Sequence, residues 1–419
     1  MRILLSAIGS RGDVQPLLAL AVELKSLGHM PRIAVPPNFA EWIESYGVPC
    51  IPIGPDVRKL TGGTAPAKQV KPSPAQMQQM AEQMVRYQLQ VLMDAAADAE
   101  ILVGVGALQI ASPSVAEARG LPYVYATYCP QTLPSPDHPP PKAGGHYPQT
   151  LPGVVNRLLW MRDEQSFNKR FRKTLNEERV KIGLAPIESV RPHIFTARPW
   201  LEADPILAPA PAVKGIDLVQ TGAWMLSDPS PLPHDLERFL NAGDPPIYFG
   251  LGSMRALQQS ERMFVEAARE VGGRAIVQRG WAELDASAAG DDCLAIGDVD
   301  HAKLFPRCAA IVHHGGSGTT TTAARSGRPQ VVVPHMYDQF YFAHRVKVLG
   351  VGVAGPTRNQ LNGDALASAL LDCLQVETAE RAGELGALVV TNGAQVAAQR
   401  LASLAREPIA VRPQAPVAG

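Results

Sequence analysis

The chain has 419 residues, 46% hydrophobic and 19% charged, which is too long for one ordinary core and favours two domains. Lys plus Arg and Asp plus Glu both number 39, and the 6% of aromatics are not interleaved with any basic patch, which argues against a nucleic-acid partner. Five widely spaced cysteines (Cys50, Cys129, Cys293, Cys308 and Cys373) with no Cys-x-x-Cys fit buried thiols in a reduced compartment, and argue against a disulfide frame or a zinc site.

The opening apolar run Ile3-Leu4-Leu5 is too short for the core of a signal peptide. No stretch of about 18 apolar residues occurs, so no transmembrane segment is expected. A cytoplasmic location follows, with peripheral membrane contact left open.

In chain order, Arg2 to Ile8 reads as a buried strand and Gly9 to Asp13 as a turn. Val14 to Leu27 carries Leu17, Leu20, Ala21 and Leu24 at helical spacing, and Gly28 stops it. Strands at Arg32 to Val35 and Cys50 to Ile53 make this the start of a parallel sheet. Residues 61 to 76, rich in Gly, Pro and Lys, then interrupt the alternation. They lead into a helix with Met77, Met80, Met84, Tyr87 and Val91 on one stripe. That stripe reads as core packing first, and otherwise as an adaptable wall for a lipophilic ligand.

Strands at Ile101 to Val105 and Tyr123 to Ala126 flank a helical stretch, Ser114 to Arg119. The insertion Pro130 to Pro152 is long for an α/β domain and suggests function. A polar helix from Arg162 to Ile182 and short strands near Ile206-Leu207 and Leu218-Val219 complete this half. Residues 226 to 246, with five prolines, read as an interdomain linker. The alternation then restarts with about six strands: Ile247 to Gly250, Arg274 to Val277, Cys293 to Ile296, Ala309 to Val312, Gln330 to Val333 and Val351 to Val353. The expected division is 1–225, linker 226–246, 247–390, a terminal helix 391–406 that can pack back on the first domain, and a Pro/Ala-rich tail 407–419. The fold class is α/β, with two Rossmann-like parallel-sheet domains facing across a cleft where ligands bind.

The stretch Ala309 to Thr322 concentrates the chemistry. A buried strand runs into His313, His314, Gly315, Gly316, Ser317 and Gly318, and a helix is expected from Thr319 to Ser326. Such a turn serves either as a tight bend or as a phosphate site made of backbone N–H groups and a helix dipole. No Lys follows Gly318, so it is not a P-loop. A third glycine is missing, so it is not the dinucleotide fingerprint.

Six stretches, in this order, resemble a known family. They are Gly9-Ser10-Arg11-Gly12-Asp13-Val14-Gln15-Pro16, Gln220-Thr221-Gly222-Ala223-Trp224, Phe249-Gly250-Leu251-Gly252-Ser253-Met254, Arg279-Gly280-Trp281, the His313 to Thr320 turn, and Pro334-His335-Met336-Tyr337-Asp338-Gln339. The chain resembles nucleotide-sugar-dependent glycosyltransferases of the GT-B fold, in particular those that decorate glycopeptide antibiotics and natural products and those that act on sterols.

The resemblance implies an inverting transfer of a hexose from a UDP- or dTDP-sugar to a hydroxyl of a lipophilic small molecule. It implies that His314, Gly316, Ser317, Gly318 and Thr319 face the donor diphosphate, with Ser253 opposite. His313 reads as a packed residue. Asp338 and Gln339 would hold sugar hydroxyls, although Asp338 is also placed to cap a helix. Trp281 would stack on the nucleobase, or else belong to the core, and Val299 would read the base edge.

Asp13 stands where many relatives have a histidine base, and either takes the acceptor proton or caps the first helix. Asp338, His138 and His146 are rival bases. The acceptor side would include Ser10, with Met80, Met84, His138 and His146 on the two insertions. No metal and no cofactor is implied, and either a monomer or a homodimer fits. A sugar-nucleotide epimerase and a non-catalytic binding protein of the same form are the alternatives; the two insertions argue against the first.

Overall fold

Alternating strands and amphipathic helices assemble into two parallel sheets. The structure, a computed structural model, describes residues 1–57, 72–142, 145–213, 215–251, 260–279 and 290–404. Ser253, Trp281, residues 61–71 and the tail from 407 lie outside the described residues.

The first sheet has the order β3-β2-β1-β4-β5-β6-β7. Its strands are β1 (Arg2–Ala7), β2 (Met30–Val35), β3 (Cys50–Pro52), β4 (Ile101–Val105), β5 (Tyr123–Thr127), β6 (Trp200–Leu201) and β7 (Val219–Gln220). The second has the order β10-β9-β8-β11-β12-β13. These are β8 (Ile247–Gly250), β9 (Ala275–Gln278), β10 (Cys293–Ile296), β11 (Ala310–His313), β12 (Gln330–Val332) and β13 (Gly352–Ala354). Neighbouring strands pair in parallel throughout the described sheets. In each sheet the order reverses beside the first strand, β1 or β8. Such reversal points open a crevice at the carboxyl ends of the strands. Asp13 follows β1 and His314 follows β11, so both arrive at one.

The helices that frame this crevice are α1 (Arg11–Ser26), α2 (Pro74–Ala95), α3 (Gly153–Phe167), α4 (His234–Asn241), α5 (Ser317–Arg325), α6 (Gln339–Leu349) and α7 (Gly393–Leu404). Side chains of β1 alternate between the two faces of the sheet. Ile3, Leu5 and Ala7 pack with Leu17, Leu20 and Leu24 of α1, while Leu4 packs with Leu89 and Leu92 of α2. Covering both faces explains why these strands are apolar throughout.

The last helix crosses back to the first domain. Ala394, Ala397, Ala398 and Leu401 of α7 join the core built on β1 and α1. The Gln220 to Trp224 motif makes that crossing possible. Gly222 takes φ +86°, and a Cβ on Gly393 would sit 2.4 Å from the Ala223 carbonyl oxygen. The Trp224 indole donates to the Thr221 hydroxyl at 3.0 Å and closes the turn.

Several expected boundaries move, each for a local reason. Helix α1 starts at Arg11, not Val14, because Ser10 is its N-cap. The segment at Ile206-Leu207 is a turn, held by N–H groups on the Asp204 carboxylate, and the strand lies earlier, at β6. The polar helix starts nine residues early, at Gly153, and passes through a π-turn, Asn168–Arg172. Part of the expected linker is helical: α4 takes eight of its residues, and Leu236 and Leu240 pack into the core beneath the second sheet.

The stripe of α2 is only partly core: Met84 and Val91 are half-buried against it, and the rest faces outward. Met77, Met80 and Tyr87 are exposed, and the buried face is Ala81, Val85, Gln88, Leu89 and Leu92. Gln88 hides this face from a hydrophobic reading. Its amide donates to the Leu108 carbonyl at 2.8 Å and accepts from the Ala111 N–H at 2.5 Å.

Since Leu401 is fully buried in the core of the first domain, Leu401→Ala is expected to destabilise that domain by about 3 kcal/mol in urea unfolding. A change below about 1 kcal/mol would show that α7 is not part of that core.

Candidate active site

Asp13 lies in the first turn of α1, at the carboxyl end of β1, and faces the crevice. Its Oδ2 accepts from the Ser10 N–H at 2.7 Å and the Ser10 hydroxyl at 3.3 Å. Its Oδ1 accepts from the Tyr128 hydroxyl at 3.0 Å. The carboxylate rests on bare backbone: a Cβ on Gly9 would lie 2.1 Å from Oδ2, and one on Gly106 would lie 3.5 Å from Oδ1. Asp13 therefore supports the start of α1 without being its cap. Burial pushes its carboxyl above the usual range, and these three donors pull it back.

Two further carboxyls share the crevice. Asp338 immediately precedes α6, yet its side chain caps nothing. Burial, and then the charge of Asp13, push it up to about 7. Tyr337 before it has φ +50°, a strained value for a side chain of that size. Glu202, directly after β6, is 2% exposed and neither of its carboxyl oxygens has a partner. Burial, and then the charge of Asp13, hold it well above the usual carboxylate range, which favours its protonated form. Gln339 is already half committed. Its amide oxygen accepts from the N–H groups of His335 at 2.8 Å and Met336 at 3.1 Å, which leaves only its NH₂ for a ligand.

Across the crevice, α5 begins two residues earlier than expected, with Gly316 as N-cap. Ser317, Gly318 and Thr319 are thus its first three residues, whose N–H groups have no intrahelical acceptor. Gly315, at φ +92°, leaves no room for a side chain: a Cβ would meet Val332 at 2.6 Å. A Cβ on Gly316 would meet His314 Nε2 at 2.6 Å, so the imidazole lies over the helix start. A Cβ on Gly318 would meet nothing within 4 Å, and the space before this residue is open. Burial and three neighbouring histidines push His314 down to about 3, so it stands neutral. Within the helix the hydroxyls of Thr320, Thr321 and Thr322 are satisfied by donating back to a carbonyl one turn earlier, at 2.8–2.9 Å.

His313 is a packed residue, fully buried. Its Nδ1 accepts from the Gly315 N–H at 3.0 Å, so its Nε2 carries the proton given to Gln330 at 2.9 Å. The two halves meet at this site. Ser317 donates its hydroxyl to the Tyr128 carbonyl at 3.0 Å. Arg11 lies 4.7 Å above the Trp42 ring and reaches Asp298, beside Val299, at 2.6 Å. Val299 itself is half-buried against the second domain's core.

The remaining expected residues have other neighbours. His138 is 5% exposed and sits edge-on between Trp160 and Tyr341. It borders a cavity of about 170 Å³ at the domain seam, with Asp137, Gln149, His344 and Arg345. His146 stacks on Phe340 at 4.1 Å. Met80 is 56% exposed and lines a groove of α2 with Gln76, Gln79 and Gln83, while Met84 is half-buried against the core beneath that helix. Tyr128 and Glu202 were not anticipated. Nothing in the sequence near Tyr128 carries a motif, and Glu202 reads as an ordinary charged residue; only the strand ends bring them to Asp13. Among the described residues, no group of three His, Cys, Asp or Glu is arranged to hold a metal ion, and no helix is long and apolar enough to cross a membrane.

Comparison with known proteins agrees with this geometry. Residues 3–135 match the glycosyltransferase family 28 N-terminal domain, and residues 267–404 match the erythromycin biosynthesis protein CIII-like C-terminal domain. The chain is 43% identical to vancomycin aglycone glucosyltransferase of Amycolatopsis orientalis, over 96% of this chain and 97% of that protein. It is 31% identical to a sterol 3-beta-glucosyltransferase of Arabidopsis thaliana, over 95% of this chain and 67% of that one. The glycosyltransferase VinC, solved in complex with dTDP, has the same two-domain GT-B fold, with a TM-score of 0.66 and 20% identity over 97% of this chain and 99% of that one. The protein is a GT-B glycosyltransferase and belongs to the natural-product family that includes vancomycin aglycone glucosyltransferase.

Proposed function

We propose that the protein transfers a hexose from a UDP- or dTDP-sugar to a hydroxyl of a lipophilic small molecule, with inversion at the anomeric carbon. In this reading it works in the cytoplasm, with no metal and no other cofactor. The observation that carries the reading is the opposition of two unlike sites across one crevice. The N–H groups that open α5 suit an anion, and the Asp13 carboxylate suits a proton; Tyr128 touches both.

Asp13 takes the proton of the acceptor hydroxyl as that oxygen bonds to the anomeric carbon. The bond from that carbon to the diphosphate breaks on the opposite face, and its electron pair leaves with the diphosphate oxygen. The growing charge meets the N–H groups of Ser317, Gly318 and Thr319, the helix dipole and the His314 imidazole. Asp338 and the free NH₂ of Gln339 hold sugar hydroxyls. The acceptor lies on the first domain, near the exposed methionines of α2. The name of the 43%-identical relative makes vancomycin aglycone the first acceptor to try, and the sterol relative makes a sterol the second.

Asp13→Asn keeps the shape of the turn and removes the base. With UDP-glucose or dTDP-glucose and vancomycin aglycone or a sterol, it is expected to lower the release of nucleoside diphosphate at least about 100-fold. Near-normal turnover would remove Asp13 as the base. Epimerised donor without release would instead favour the epimerase.

Asp338 gives a separate expectation for stability. A carboxyl at about 7 in the folded chain titrates near 3.9 when unfolded, so the folded state holds the extra proton between these values. Stability due to this group therefore falls as pH rises from about 4 through 7. Asp338→Asn should be more stable than the parent at pH 8, by about 2 kcal/mol after allowing for its partial access to solvent, and equal to it near pH 4. Equal melting temperatures at both pH values would contradict the buried, raised carboxyl.

A further inference from the structure

We infer that Tyr128 is a positioning residue for the transfer reaction: its hydroxyl holds Asp13 in place, and its carbonyl links that residue to the first turn of the donor-side helix. The inference rests on the reading of Asp13 as the base.

Tyr128 is the first residue after β5 and packs against the cores of both domains. Its hydroxyl donates to Asp13 Oδ1 at 3.0 Å, while Ser10 holds Oδ2 from the other side. Each oxygen of the carboxylate is therefore fixed in direction, and Oδ1 retains a lone pair for the acceptor proton. A phenol that donates to a carboxylate makes a charge-assisted bond, which favours the ionised base. The charge of Asp13 in turn holds the phenol well above its usual range, so Tyr128 stays a donor.

The same residue reaches the other domain. Its carbonyl accepts from Ser317 Oγ at 3.0 Å, and Ser317 is the first residue of α5. A phosphate oxygen at that helix start is a stronger acceptor than a carbonyl and competes for the Ser317 hydroxyl. Arrival of the donor would then release the Tyr128 carbonyl while leaving its hydroxyl on Asp13. One residue thereby touches the base with its hydroxyl and the leaving-group site with its carbonyl. Ser10, the N-cap of α1, and Tyr128, after β5, donate to Asp13, and the charge of Asp13 reaches Glu202 after β6 and Asp338 before α6.

The test is the pH profile of nucleoside diphosphate release by Tyr128→Phe, with dTDP-glucose or UDP-glucose as donor and vancomycin aglycone as acceptor. Loss of the charge-assisted bond should lower kcat about 10- to 100-fold and move the acid limb to higher pH, with donor KM within about twofold. A residue that only packs would lower the melting temperature and leave the limb in place, which would overturn the inference. Ser317→Ala keeps the bond to Asp13, so its donor KM should rise while its acid limb stays put; a limb shift as large as that of Tyr128→Phe would also overturn it. Asp13→Asn is measured alongside. If it is near normal, the base reading fails and the inference with it. If it is inactive while Tyr128→Phe keeps the parent profile, only the inference fails. Tyr128→Phe added to Asp13→Asn should cause no further loss, because it acts through Asp13.

Discussion

For the proposed reaction a carboxylate has to stay charged in a groove that penalises charge, and much of the structure around β1 favours that. Asp13 gains three donors, from Ser10 and Tyr128, while Glu202 and Asp338 gain none from another side chain. The charge of Asp13 raises both Glu202 and Asp338, which disfavours ionising them beside it. The one with the donors carries the charge, and the partnerless ones keep their protons longer. Gly9 and Gly106 complete the arrangement by leaving bare backbone where side chains would displace the carboxylate.

The donor side solves the opposite problem. An arriving diphosphate brings negative charge to a crevice that already holds Asp13. A fully charged set of acids would repel it, so the raised carboxyls of Glu202 and Asp338 lower that penalty. In the proposed reading the dipole and open N–H groups of α5 supply the counter-charge, supported by a neutral imidazole. Such an arrangement needs little reorganisation when the leaving group forms, because the donors are backbone atoms held by the helix. Gly315 and Gly316 hold the turn close to His314 and β12, which is why a larger residue at either position would displace the site.

Much of this was legible in the sequence. Strand cores such as Ile101–Val105 were read at their true bounds because both faces are apolar, and the glycine turn was read because strand, glycines and helix follow in order. Errors arose where polar groups do structural work. Gln88 on the core face of α2 made the exposed methionine stripe look like the buried one. Asp204 turned an apolar pair into a tight turn rather than a strand. Tyr128 and Glu202 were invisible for a different reason: the proximity of Asp13, Tyr128, Glu202 and Ser317 is created only when β1, β5, β6 and α5 bring their ends together.

The exposed face of α2 follows from the same logic. An exposed surface of Met77, Met80 and Tyr87 runs against burial, and its own helix has a well-packed opposite side, so it is not core that failed to close. Flexible thioethers next to a row of glutamines offer apolar contact and amide hydrogen bonds together. That mixture suits an acceptor that is apolar in bulk and polar at intervals. In the proposed reading the part of the crevice formed by Asp13 and α5 can then remain rigid, with its donors fixed by helix and strand ends, while adaptation to the acceptor is left to side chains that repack easily.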